Sequence, residues 1–183
     1  MKQNKILLDT CSYLRLAESH HPLLGVEFGT DRSCLYVIAE FQKEYDYSSR
    51  ITKKYPMLNQ PDFKENRRKR INLSKSQKDE METVIDAFED YADDQGLSPS
   101  NVDLKALCVA YQASIPFVTD DGDLYELAEA FDVPVMRTLK LLKLMLDAKH
   151  ITFKDLTATL QYIEHIPDKP KHFEQDKKEL FGL

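Results

Sequence analysis

The residues whose types and spacing could do chemistry in this chain are carboxylates. Asp9 ends the apolar run KILL, and Asp121 lies in the acidic turn TDDGD that closes the apolar run PFV. Asp103 opens a helical pattern sixteen residues before Thr119, and Glu40 sits at the start of another, in VIAEF. Thr119 and Asp123 are supporting candidates. Four acids in one pocket would repel each other strongly, so such a grouping makes physical sense only as a cation site. Mg2+ and Mn2+ take oxygen ligands and keep several waters, so a few carboxylates suffice. A bound divalent ion deprotonates a water near neutral pH and stabilises charge on a phosphate during in-line displacement. Phosphodiester hydrolysis is the reaction that needs both services. The chain has 31 acids, and for a single strand-end aspartate helix capping or a surface turn is as good a reading as metal binding. The combination singles these positions out.

A parallel sheet is the device that would gather them. KILL, residues 5–8, reads as a short strand buried on both faces. Leu14 and Leu16 belong to a helix that ends near the His20-His21-Pro22 break. Residues 23–32, with Gly25 and Gly29, read as loop. LYVIAEFQKEYDY passes from a strand end into a helix, with Val37, Ile38, Phe41 and Tyr45 on its apolar face and Glu40 beside it. Residues 50–74 are irregular, punctuated by Pro56 and Pro61. Residues 75–95 carry a helical period through Met81, Val84, Ile85 and Phe88, with acids opposite, and Gly96 stops it. Ser98 or Ser100 can cap the next helix, which runs through Leu104, Leu107, Cys108 and Tyr111. Residues 116–119 form a buried strand, YELAEAF a helix and VPVM a further strand. From Thr138 the chain reads as helix: LKLLKLMLDA first, then a second one through Leu156, Leu160 and Ile163, ended by Pro167 and Pro170. The last residues form a short helix or a tail. Strand and helix in alternation predict an α/β fold with a parallel sheet covered on both faces. In such sheets ligands sit outside the carboxyl ends of the strands.

Composition sets the frame. A chain of 183 residues, 42% hydrophobic and 31% charged, is expected to form one domain with a proper core. No apolar run approaches the roughly 18 residues of a membrane span. Asp9 interrupts the N-terminal apolar run, so MKQNKILLDTCS lacks a signal-peptide core, and a cytoplasmic protein with no membrane partner is expected. Cys11, Cys34 and Cys108 form no CxxC or Cys/His cluster and read as structural thiols. The net charge of −6 argues against nucleic-acid binding by whole-protein attraction and leaves a local patch or a metal to do it.

At this point the motifs resemble those of the PIN-domain nucleases. The apolar strand ending in Asp-Thr is LLDTCS, the Glu on the second helix is in VIAEF, and the Asp ahead of a Thr-x-Asp turn is in VDLKALCVAYQASIPFVTDDGDL. Thr119-Asp120-Asp121 matches Thr-x-Asp and Asp123-Leu124 the ending that commonly follows it. The resemblance covers roughly residues 5–137. It implies a three-layer α/β/α domain and Mg2+- or Mn2+-dependent cleavage of RNA, often as the toxin of a toxin–antitoxin pair; the sequence leaves RNA and single-stranded DNA both open as the substrate. It implies Asp9, Glu40, Asp103 and Asp121 as catalytic metal ligands, Asp123 as a fifth, and Thr119 as an orienting group; either of Asp120 and Asp121 could turn inward. Residues 1–150 would be the catalytic domain, with a charged helical insertion at about 50–98, and residues 151–183 a helical extension packed on it. The long charged segment 46–100 and the acidic balance depart from the compact toxins of the family.

Other features have sharp and bland readings. Arg67, Arg68, Lys69 and Arg70 could contact phosphate, or form a solvated loop that pairs with the acids of 79–94. Tyr45, Tyr47 and Tyr55 could stack on unpaired bases, or pack in the core. His20, His21, His150, His165 and His172 are scattered, and none is assigned to catalysis. The apolar segment 139–146 is richer than one helix face needs, so it is central core or a homodimer contact, the latter common in the family. Two competing functions remain. One is a non-catalytic nucleic-acid or protein-binding module that keeps the fold, against which the complete set of acids argues. The other is a phosphatase or receiver-like domain, against which the lack of a phosphate-cradling Gly loop argues.

Overall fold

Residues 3–20 and 24–183 are described by the computed structural model. Five strands, β1 (Asn4–Leu8), β2 (Glu27–Phe28), β3 (Ser33–Tyr36), β4 (Phe117–Val118) and β5 (Val135–Met136), form one sheet in the order β2-β3-β1-β4-β5. β1 pairs in parallel with β3 and β4, β4 pairs in parallel with β5, and β2 is an antiparallel edge. Eleven helices are described: α1 (Thr10–Ala17), α2 (Glu40–Tyr47), α3 (Ser49–Lys54), α4 (Pro61–Asn66), α5 (Lys75–Asp79), α6 (Met81–Gln95), α7 (Asn101–Ala113), α8 (Gly122–Ala130), α9 (Thr138–Asp147), α10 (Phe153–His165) and α11 (Phe173–Phe181). None of them is long and apolar enough to cross a membrane.

Alternation along the strands builds two cores. Ile6, Leu8, Leu35, Val37 and Val118 face one way, against apolar residues of α1, α2, α4, α9, α10 and α11. Leu7, Cys34, Tyr36 and Phe117 face the other way, against α6, α7 and α8. The result is the three-layer α/β/α arrangement that the strand and helix patterning predicts. The segment 151–183 joins the first core through Leu156, Leu160, Ile163 and Phe173. β1 connects to β3 on one side while β4 lies on the other, so the point where the connections change direction falls between β1 and β4.

The sequence reading and the structure differ in the short elements. Residues 23–32 contain β2, a two-residue strand with no period to read. Residues 50–74 hold helical turns: most of α3, capped by Ser48, then a 3-10 turn opened by Pro56 and α4 opened by Pro61. The 75–95 pattern splits at Glu80, where α5, closed by a Ser74–Gln77 capping box, gives way to α6. α6 then ends on Gly96 in the left-handed region, as its position predicts. α1 ends at Ala17; His21 and Pro22 lie outside the described residues. In α9, Leu139, Leu141, Leu142 and Met145 are buried within the chain and Leu144 is exposed, so the richness of 139–146 is mostly spent on the core.

Candidate metal centre

Asp9 is fixed by the sheet before its side chain does anything. Its amide donates to Val118 O at 3.0 Å, and the Thr119 amide donates to Met136 O at 3.1 Å, extending both parallel ladders by one residue. The Asp9 carboxylate caps α1, with Oδ1 accepting the Ser12 amide at 2.6 Å. The Thr119 hydroxyl donates to Asp9 Oδ2 at 2.6 Å and accepts the Asp121 amide at 3.1 Å. One buried hydroxyl therefore locks the Asp-Thr strand end to the Thr-x-Asp turn across the β1/β4 junction. Burial pushes the Asp9 carboxyl up to about 6, beyond what its hydrogen bonds to Thr119 and Ser12 can hold down, and the charge of Asp120 adds to the rise.

Asp120 and Asp121 have different partners. Asp120 turns inward: Arg15 Nη1 donates to its Oδ2 at 2.6 Å and the Thr138 amide to its Oδ1 at 2.9 Å. Asp121 faces out and caps α8, its Oδ1 accepting the Leu124 amide at 2.9 Å. Asp103 occupies the third position of α7, whose cap is Ser100, and the Ser100 hydroxyl donates to Asp103 Oδ2 at 2.7 Å. Its carboxyl is raised by burial and by the nearby charge of Asp121. Cys11, exposed in the first turn of α1, lies near the same group: the packed protein around it, then Asp9, then Asp103 and Asp168 push its thiol up to about 12. Three helices, α1, α7 and α8, thus open toward this end of the sheet with Asp9, Asp103 or Asp121 in or before the first turn, where helix dipoles favour negative charge.

The other candidates are placed differently. Glu40 is the first residue of α2, half-buried, and hydrogen-bonds to none of these acids among the described residues. One turn later Glu44 does reach the site: the Thr10 hydroxyl, next to Asp9, donates to Glu44 Oε2 at 2.9 Å. Asp123 is engaged elsewhere, its Oδ2 accepting the Ser98 amide at 3.0 Å, so it steadies the α6–α7 connection. Among the described residues no three His, Cys, Asp or Glu side chains form a ready cation cage. The donor set is nonetheless all hard oxygen, and neither Asp121 Oδ2 nor Asp103 Oδ1 accepts a hydrogen bond among the described residues. That chemistry fits a divalent cation that keeps much of its water shell. A hollow of about 730 Å3 lies elsewhere, around Asn4, Phe28, Asp31, Ser33, Pro116, Leu144 and Asp147, and none of the candidate acids lines it.

The basic run separates. Arg67 is buried: its Nη2 donates to Leu58 O at 2.8 Å and its Nε to Gln42 Oε1 at 3.0 Å, and it lies over the rings of Phe41 and Tyr45. It is a core cation and not a phosphate contact, a correction to the reading of the whole run as one surface patch. Arg68, Lys69 and Arg70 are exposed, with Arg68 paired to Glu65 at 2.8 Å. Tyr45 and Tyr55 are buried, and Tyr47 is 89% exposed. His20 is buried against the Thr159 hydroxyl and His150 stacks on Phe28.

Two participants were missed in the sequence. Glu44 follows Glu40 by one helical turn, a repeat that the sequence carried. Arg15 is the charge inside the apolar stretch YLRLA, a signal that named an ion pair but not its partner 105 residues away. Thr119→Val is expected to cost about 1–3 kcal/mol, because it strands hydrogen-bonding groups on both sides of the β1/β4 junction. It should also drive the Asp9 carboxyl higher still. Carboxyl NMR titration together with urea unfolding reads both, and an unshifted Asp9 would remove Thr119 from this role.

No protein-family model matches the chain, and a search of curated proteins returned no match.

Proposed function

We propose that this chain is a metal-dependent nuclease that hydrolyses RNA phosphodiester bonds at the carboxyl end of its sheet. The reading follows the resemblance to PIN-domain nucleases, and its setting would be the toxin half of a toxin–antitoxin pair. The observation that carries it is the Asp9 carboxylate, buried at the β1/β4 junction and tied through Thr119 to the turn that bears Asp121. Burial and neighbouring carboxylates hold Asp9 and Asp103 above their usual range, a penalty that a cation at this place would offset.

Asp9, Asp103 and Asp121 would hold Mg2+ or Mn2+, directly or through water, with Glu40 and Glu44 contributing from α2. A metal bound there supplies a water of lowered pKa and charge stabilisation at the phosphate. The chain's own residues orient the donors. Thr119 holds Asp9 Oδ2, Ser100 holds Asp103 Oδ2, and Arg15 pairs with the inward-turned Asp120.

Labelled RNA incubated with Mn2+ is the test. Cleavage should disappear in excess chelator. It should fall by more than about a hundredfold in Asp121→Asn, since even the loss of a group that merely supports a metal ligand costs about 10–100-fold. Cleavage that survives both treatments overturns the proposal. RNA binding without turnover in any metal overturns it in favour of the non-catalytic binding module.

A further inference from the structure

Charge is sorted between the two helical layers of this molecule. Residues 71–136 hold three Lys or Arg against fifteen Asp or Glu, whereas the rest of the chain holds 22 against sixteen. The first set includes α6–α8, which cover the Leu7 and Phe117 face of the sheet. Residues 79–103 alone carry nine acids and no base. On the opposite layer, residues 41–70 carry nine bases against four acids and include α3, α4 and nearly all of α2. A polyanion approaching this protein is repelled from one layer and drawn to the other.

The drawn-to layer has an aromatic at its surface. Tyr47 ends α2 and is 89% exposed, with no ring partner among the described residues. It belongs to a stripe on α2, Glu40, Lys43, Glu44 and Tyr47, spaced so that all four share one face of the helix. Glu44 touches Thr10 beside Asp9, so the stripe runs from the acidic end of the sheet outward to the tyrosine. Arg50 and Lys53 follow on α3. Like Lys43, both are exposed and make no ion pair among the described residues. By contrast Lys54 is engaged with Asp168 and Tyr55, and Arg67 is buried.

We infer that the exposed face of α2 and α3 docks a single-stranded nucleic acid, with Tyr47 as a stacking platform for an unpaired base and Lys43, Arg50 and Lys53 as phosphate contacts. A duplex hides its base faces, so a lone exposed ring flanked by unpaired bases suits a single strand. The surface stands on its own geometry; that it feeds the acidic centre rests on the nuclease reading.

The experiment is fluorescence anisotropy with a labelled oligouridylate in excess chelator, where no turnover occurs. Tyr47→Ala, its fold checked by circular dichroism, should weaken binding by about tenfold and Tyr47→Phe should not. The double variant Arg50→Glu/Lys53→Glu should weaken it further and flatten its dependence on salt. Unchanged affinity in Tyr47→Ala and in the double variant overturns the docking surface. So does polyglutamate that competes as well as unlabelled oligouridylate, which would reassign the surface to acidic polypeptides. Cleavage in Mn2+ is read separately. Intact cleavage with binding indifferent to these variants sinks only the docking surface, whereas binding that obeys them without cleavage sinks only the nuclease.

Discussion

Asp9→Asn is expected to be more stable than the parent above pH 7 and inert toward RNA. The folded protein holds the Asp9 carboxyl at about 6, against 3.8 for an exposed aspartate. A gap of about two units corresponds to about 3 kcal/mol of penalty once the group is ionised. The sign follows from proton binding. Between these values the folded state keeps a proton that the unfolded state has lost, so this group's contribution to stability is greatest below about pH 4, declines as pH rises to about 6, and is flat beyond. Asparagine can meet the same neighbours, its Oδ1 accepting the Ser12 amide and its Nδ2 donating to the Thr119 hydroxyl, which must reverse its own hydrogen. That reversal trims the gain to about 1–3 kcal/mol. Urea unfolding of variant and parent from pH 4 to pH 8 measures it, and the difference between the two curves isolates the group. A variant less stable than the parent at pH 8 would mean that the charge is not penalised. Saturating Mn2+ should add about 2–4 kcal/mol to the parent and little to the variant; equal gains would put the ion elsewhere.

Arg15→Leu should be the most damaging single change near the site. It leaves the Asp120 carboxylate, whose side chain is only 4% exposed, without its ion-pair partner. Breaking one side of such a pair costs about 3–5 kcal/mol. It also removes the bond from Arg15 Nη2 to Asp168 O, 3.0 Å long, which ties the α10–α11 connection to α1. Adding Asp120→Asn should recover much of the loss, because the asparagine keeps an oxygen for the Thr138 amide and no longer buries a charge. Thermal or urea unfolding of the two variants decides this. A single variant within about 1 kcal/mol of the parent, the range of exposed pairs, would show that the pair is solvated in solution.

Much of the candidate site was legible because its acids sit at punctuation. KILL before Asp9 and PFV before Thr119 are short apolar runs cut off by charge, and that pattern survives into β1 and β4. Ser100 and Gly96 mark the start of α7 and the end of α6 by local chemistry alone. What was hidden depends on contacts distant in sequence or on elements too short to show a period. α3 and α4 have six residues each, fewer than two turns. The inward turn of Asp120 is set by Arg15, and the burial of Arg67 by Gln42, Leu58 and two aromatic rings. No local window contains those partners.

The acids at positions 9 and 121 have a second employment: each starts a helix, α1 and α8, by accepting the amide three residues on. A descendant of this chain that gave up turnover would still need a capping side chain, aspartate or asparagine, at both positions, and Asp103 is likewise held in its first turn by Ser100. Glu40 alone in the set has no such duty among the described residues, so relaxed selection should erase it first. Lineages could then be sorted into working and retired copies by that one position, while a capping side chain persists at 9 and 121 in both.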